Sequence, residues 1–323
     1  MNILATKALK DVFITGVSGY FGQKLVSLLD NKNDVGHVVG IDIKEPSQKA
    51  AKLEFIKHDI RDDLSPILNG RRIDWVIHSA FIVPPIHDKN KMEDININGT
   101  KNVFDACVKF GIQHLVHCSS TTAYGFHKDN PPLLTEESPL RGNDDFTYSK
   151  NKKELELFCK EFQGVHPSFR LTVIRPCFVV GLGFNNPLSH HLIKDRMFLP
   201  RDAAPFQFIH EDDLVEIIYL LLANEKRGIY NLTADGTISF DEMAKVLGNK
   251  AIYMPGPVLR FFNRVLWFLH SKHVEFPASV INMLQYPWIA SNEKVKKDLN
   301  YAFKYTTKEA FIDFASHIKR SRI

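Results

Sequence analysis

Short apolar runs alternate with helically spaced apolar residues through the first half of the chain. Residues 12–14 (Val-Phe-Ile) read as a buried strand, and Leu25, Val26, Leu28 and Leu29 then recur at helical spacing over 23–29. The runs 37–42, 53–57, 74–78, 114–118 and 170–174 predict five more strands, with a helix around 102–110. Strands alternating with helices predict an α/β fold: a Rossmann-type, doubly wound parallel sheet covered on both faces. Right-handed crossovers place the loops after the strands along one edge, where ligands bind. Asp59, Ala80 and Ser120 fall at such strand ends.

From Phe178 onward the elements shorten and Pro and Gly become more frequent. A division at 177/178 follows, with residues 1–177 as a nucleotide-binding domain and 178–323 as mainly a smaller substrate-binding lobe. Part of 206–234 is expected to return to the main sheet, through a helix at 212–222 and a strand at 228–232. Thr306-Thr307-Lys308-Glu309 reads as a capping box opening a last helix over 309–319. Residues 258–269 form an amphipathic helix with Val258, Phe261, Phe262, Val265, Leu266 and Leu269 on one face. That face can pack on the smaller lobe, close over an apolar substrate, or lie on a membrane surface beside Arg260 and Arg264; packing is the expected use.

Composition narrows the class. The 323 residues are 44% hydrophobic and 24% charged, enough for a large core, and a formal charge of +4 with scattered Lys and Arg gives no nucleic-acid tract. Four cysteines show no C-x-x-C pairing, and three sit in apolar segments, as expected of buried thiols in a reducing compartment. No run of 18 apolar residues is present and the first ten residues lack a signal-peptide core, so a cytoplasmic location without a transmembrane helix is expected. His190 and His191 are adjacent and cannot share a helix face as ligands, so no metal site is expected.

The chemistry begins at Gly16-Val17-Ser18-Gly19-Tyr20-Phe21-Gly22, between the first strand and the first helix. Glycines at this spacing allow a tight turn, close approach of a pyrophosphate and helix-on-strand packing, while the helix N-terminus attracts the anion. Asp42, about twenty residues on, is placed to accept the adenosine ribose hydroxyls and to repel a 2′-phosphate, favouring NAD over NADP. Tyr148 and Lys152 lie one helical turn apart, so the cation is expected to lower the tyrosine pKa for proton transfer during hydride movement. Ser120 is a donor to the substrate oxygen.

These pieces together resemble the extended short-chain dehydrogenases/reductases, which include nucleotide-sugar epimerases and dehydratases and the 3β-hydroxysteroid dehydrogenases. The matches are Thr15-Gly16-x-x-Gly19-x-x-Gly22, Asp59-Ile60, His78-Ser79-Ala80, Asn96-x-x-Gly99-Thr100 and Ser119-Ser120-x-x-x-Tyr124-Gly125. Further along come Tyr148-x-x-x-Lys152, Arg175-Pro176, Phe208-Ile209-His210-x-x-Asp213 and Tyr230-Asn231-Leu232. The resemblance implies Asp59 and Ile60 at the adenine, Ala80 beside the cofactor, and Lys152 on the nicotinamide ribose. Cofactor contacts are thus expected at Gly16, Ser18, Gly19, Tyr20, Phe21, Gly22, Asp42, Asp59, Ile60, Ser79, Ala80, Phe81, Tyr148, Lys152 and Pro176. Asn96 and Thr100 look like supporting positions, and a homodimer through the helices after the fourth and fifth strands is implied.

Departures from the family pattern bear on the small-molecule substrate. Thr121 and Thr122 stand where the dehydratases carry Asp-Glu, which disfavours a 4,6-dehydratase. Phe178 and Phe206 replace the Asn and Arg that hold the nucleotide diphosphate in many epimerases. An apolar substrate follows, with Phe81, Val83, Thr121, Thr122, Phe178 and Phe206 as its expected contacts. The leading reading is an NAD-dependent oxidoreductase acting at a secondary alcohol or ketone. The alternatives are a nucleotide-sugar 4-epimerase and a non-catalytic NAD-binding scaffold or redox sensor.

Overall fold

The computed structural model describes residues 8–84, 86–182, 187–271 and 274–321, so most of the N-terminal segment read above lies outside the described residues. β1 (Lys10–Thr15) passes through the glycine turn into α1 (Tyr20–Asp30), followed by β2 (Val35–Asp42), β3 (Leu53–Lys57) and the short α2 (Ser65–Leu68). β4 (Trp75–His78), α3 (Lys89–Glu93), a π-helical turn and α4 (Gly99–Lys109) come next. β5 (His114–Cys118), α5 (Thr147–Val165) and β6 (Arg170–Pro176) complete the first half. The second half runs β7 (Phe178–Val180), α6 (Pro187–Leu192), β8 (Arg196–Pro200), β9 (Phe208–His210), α7 (Glu211–Ala223) and β10 (Gly228–Leu232). It ends with α8 (Phe240–Leu247), β11 (Lys250–Met254), α9 (Gly256–Phe268), α10 (Ile281–Gln285), α11 (Glu293–Leu299) and α12 (Thr307–Ser321).

Seven strands form one parallel sheet in the order β10-β6-β5-β4-β1-β2-β3. The chain winds outward both ways from β1, so a crevice opens at the strand ends between β1 and β4. One face packs Leu25, Leu29, Leu214 and Leu221 from α1 and α7 against the sheet; the other packs Val103, Phe104, Cys159 and Phe162 from α4 and α5. All four cysteines are buried and free. The six strands expected from the apolar runs are present, two with the expected bounds and four with an end displaced by one or two residues, and β10 extends the sheet beyond β6. The pairs β7·β9 and β8·β11 lie outside the main sheet and were not anticipated.

The second lobe is built on a third cluster, where Phe206, Phe208, Phe240, Phe311 and Phe314 meet Tyr124 and Phe126 from the first half. Its last helix starts as the sequence indicates: Thr306 N–H donates to the Glu309 carboxylate at 2.8 Å, and Glu309 N–H donates to the Thr306 hydroxyl at 3.3 Å. α9 differs from its expected use. Val258, Phe261, Phe262, Val265, Phe268 and Leu269 are exposed, and the helix is held by its opposite side. The anticipated packing face is the open face. Among the described residues no helix is long and apolar enough to cross a membrane.

Candidate active site

The glycine turn is fixed by two close approaches. Gly16 has φ +76°, and a Cβ there would stand 2.6 Å from the Ala80 backbone nitrogen; a Cβ on Gly22 would collide with the Gly16 carbonyl. Only glycine lets β1, α1 and the loop after β4 meet at one point. α1 starts with no side-chain cap and no acid in its first turn, which leaves its N–H groups available to an anion. The Asp42 carboxylate closes the far side, accepting from Ser18 N–H at 3.1 Å and Lys44 N–H at 3.2 Å. The Tyr20 hydroxyl bonds the Glu211 carboxylate, while Lys24 bridges Glu211 at 3.1 Å and Asp212 at 2.7 Å. Burial and Glu211 push the Tyr20 pKa far up, and Phe21 packs into the core, so both residues offer the turn their backbone.

The next loops are equally constrained. The Asp59 carboxylate is engaged by Arg61 at 2.7 Å, which lowers its pKa, and Arg61 also reaches Asp94 at 2.8 Å. Ile60 is buried in the core beneath Gly99, which confines it to backbone contacts with any ligand. Ser79 donates to the Thr15 carbonyl at 2.7 Å. The Thr100 hydroxyl gives its proton to the Asn96 carbonyl at 2.6 Å, so His78 Nε2 must donate to Thr100 and His78 Nδ1 must accept from Thr15. Burial holds His78 neutral, with its pKa down to about 3. The Asn96 amide grips both backbone polar groups of Ile82 and thereby sets the position of Phe81. Val83 points outward and is exposed.

Phe81 leads to Tyr148 and Lys152. Its ring meets Tyr148 edge-on at 5.6 Å between centroids, and the Lys152 ammonium lies 3.4 Å from its centroid. Lys152 also donates to the Cys118 carbonyl at 2.7 Å, where β5 ends. The Ser120 and Thr122 hydroxyls act on the phenol of Tyr148 to pull its pKa down. Desolvation outweighs them: Tyr148 is pushed up to about 12, and burial drives Lys152 down to about 7. The lowered tyrosine pKa expected from the sequence is therefore not what the folded protein has. Lys152 spends its charge on a carbonyl and a ring, 5.7 Å from the Tyr148 ring centre.

A cavity of about 320 Å³ opens over Tyr148. Ile86, Met92, Phe146, Trp267 and Pro277 supply apolar walls, while His87, Lys89 and Arg264 bring polar groups. The Trp267 ring stacks on His87 at 4.1 Å, joining α9 to the loop after β4. Of the expected substrate contacts, Thr121 and Thr122 are buried beside Ser120 and Phe81 touches Tyr148, whereas Val83 lies away from the cavity lining. Phe206 is fully buried, stacked on Phe178 at 5.5 Å and edge-on to Trp288, so it is a core residue rather than a ligand wall. Pro176 accepts from Ser120 and Thr121 through its carbonyl, at 3.4 Å each. Lys89, His87, Trp267 and Glu211 escaped sequence reading, and Arg264 was read only as a basic margin of its helix. The one available signal was Arg264 and Trp267 lying off the apolar stripe of their helix.

The order of these residues matches a known protein class. Residues 12–233 fit the model of the NAD dependent epimerase/dehydratase family. The chain belongs to this family. An uncharacterized protein of Mycobacterium bovis is 24% identical over 320 residues, covering 94% of this chain and 83% of its own. The 3 beta-hydroxysteroid dehydrogenase/Delta 5-->4-isomerase of Vaccinia virus is 31% identical over 152 residues, 44% of this chain and 43% of its own. Among solved structures, UDP-glucuronic acid 4-epimerase from Bacillus cereus in complex with NAD has a TM-score of 0.74 at 19% identity, covering 97% of this chain and 100% of the other.

The epimerase/dehydratase family uses NAD, and this chain fits it. The cradle that a Cβ at Gly16 or Gly22 would fill, the uncapped start of α1 and the Asp42 carboxylate supply pyrophosphate and ribose partners of the right charge. Gly22→Ala is expected to weaken NAD binding at least about tenfold, because the new methyl displaces the Gly16 carbonyl from the turn. Calorimetric titration with NAD, alongside circular dichroism to verify folding, checks this.

Proposed function

We propose that the protein interconverts a secondary alcohol and a ketone, with Tyr148 exchanging the hydroxyl proton and Ser120 donating a hydrogen bond to the substrate oxygen. The observation that carries the reading is the placement of Tyr148 in the lining of one cavity, with the Ser120 and Thr122 hydroxyls acting on its phenol and Lys152 5.7 Å from its ring centre. When bound, NAD supplies the hydride acceptor or donor. Tyr148 at about 12 is protonated at neutral pH, ready to protonate a developing alkoxide; the reverse direction needs its phenolate. Lys152, a turn away, anchors the helix to the Cys118 carbonyl.

A substrate with an apolar body suits the walls made by Ile86, Met92, Phe146, Trp267 and Pro277. Phe178 and Phe206 support it from another side, since they pack together where the resemblance puts polar diphosphate contacts. A second reading, a nucleotide-sugar 4-epimerase, is favoured by Lys89 and Arg264, which give the same cavity a site for an anion. Incubating the purified protein with NAD and either apolar secondary alcohols or UDP-glucose separates them. Net NADH formation with an alcohol is the expected result. Conversion of UDP-glucose to its 4-epimer without net NADH establishes the second reading, and tight NAD binding without turnover of any candidate points to a scaffold. A cytoplasmic homodimer through α4 and α5, where Val108 and Leu157 are exposed, completes the proposal.

A further inference from the structure

α9 presents three sides with three different surroundings. At 100° per residue, Leu259, Asn263 and Leu266 fall on one side and line a cavity of about 490 Å³ shared with Phe198, Phe276 and Leu284. Arg264 and Trp267 fall on the next side and line the cavity over Tyr148. The third side carries Val258, Phe261, Phe262, Val265, Phe268 and Leu269, with Phe261 63% and Phe268 78% exposed. Six large apolar side chains on one helix make a continuous open stripe, not scattered surface residues.

We propose that this stripe docks the protein on an anionic lipid bilayer, with α9 lying flat and its aromatic side chains inserted among the acyl chains. Charge selects the occupant. Residues 243–271 contain Lys245, Lys250, Arg260 and Arg264 and no Asp or Glu. Arg264 lies at one margin of the stripe, where a flat-lying helix meets headgroups, whereas Arg260 beside it is turned inward to Asn282 at 3.0 Å and Gln285 at 2.6 Å. Arg264 and Lys250 are exposed, and the acid in the neighbouring cavity lining, Glu275, is paired to His190 at 2.7 Å. Shape points the same way. Phe262 belongs both to the stripe and to the 490 Å³ cavity, so the apolar surface continues into a hollow beside the helix. Acyl chains can follow that relief, whereas a rigid helical partner would bridge it and leave a void. The helix also forms a wall of the Tyr148 cavity through Arg264 and Trp267, so docking sets the cavity beside the lipid surface.

Sedimentation of the full chain with vesicles tests this. The expected result is binding to equimolar phosphatidylcholine and phosphatidylglycerol, reduced at least about tenfold by F261E/F268E and weakened by high salt. Both positions are exposed, so the double variant is expected to keep the wild-type circular dichroism and thermal transition. Absence of sedimentation, equal binding to pure phosphatidylcholine, or unchanged binding by the variant overturns the proposal. So does light scattering that shows wild-type oligomers dissociated by F261E/F268E, since the stripe would then be covered by a second copy. The readout is binding rather than turnover, so its failure leaves the proposed reaction standing.

Discussion

Tyr148→Phe is expected to lower turnover by about 10²–10⁴-fold while changing NAD affinity far less. The ring keeps its edge-on contact with Phe81 and its place in the cavity, so the variant removes one proton-exchanging group and little else. Stopped-flow turnover and NAD titration on the same sample separate the two quantities. The wild-type pH profile carries a sign. Tyr148 sits at about 12, so its phenolate population rises about tenfold per pH unit below that value, and alcohol oxidation is expected to climb with pH across the neutral range. Ketone reduction uses the protonated phenol, whose population is already saturated there. An oxidation rate that stays flat with pH, or a Phe variant with wild-type turnover, would sink the assignment of Tyr148.

The second large effect concerns stability. Arg175 and Glu156 form an ion pair inside the molecule, with contacts of 2.9 Å and 2.5 Å and both side chains only 2% exposed. Ser119 adds a hydrogen bond to Glu156 at 2.5 Å, and Arg175 donates to the Tyr124 hydroxyl at 2.6 Å. Tyr124 in turn donates to Asn231 on β10. Arg175→Met leaves the Glu156 carboxylate buried with its main charge partner gone, an expected loss of about 3–5 kcal/mol. The double variant R175M/E156L removes both charges and is expected to lose less than R175M alone. Urea titrations of the wild type and both variants check this, with the single variant falling furthest.

Much of the cofactor half was legible because its signals are local. Gly16, Gly19 and Gly22 between an apolar run and a helical pattern require a turn that other residues cannot make, and Asp42 follows at a fixed interval. The proposed trio rests on equally local signals: Tyr148 and Lys152 share one helix, and Ser120 ends a strand. What the sequence hid depends on distant parts of the chain. Glu211 reaches Tyr20 across 191 positions, a contact no periodicity announces. Phe206 stands where a ligand contact was expected, yet Phe178, Phe240 and Trp288 surround it and make it core. The apolar stripe of α9 was read as a packing face because amphipathicity records which side is apolar but not what lies opposite. The tyrosine pKa was misjudged for a related reason: charge spacing is visible in a sequence, and desolvation is not.

The return of β10 to the main sheet sets a limit on how this protein can be divided. Its residues pair with Thr172 to Pro176 of β6, so a chain cut after 177 would bare the backbone N–H and C=O groups along that flank. Such a fragment retains Ser120, Tyr148 and Lys152 and still carries a sticky edge primed for strand addition by its neighbours. Recombining this half with lobes from other relatives would therefore work best as grafts of surface segments such as α9, leaving the β6–β10 seam within one parent.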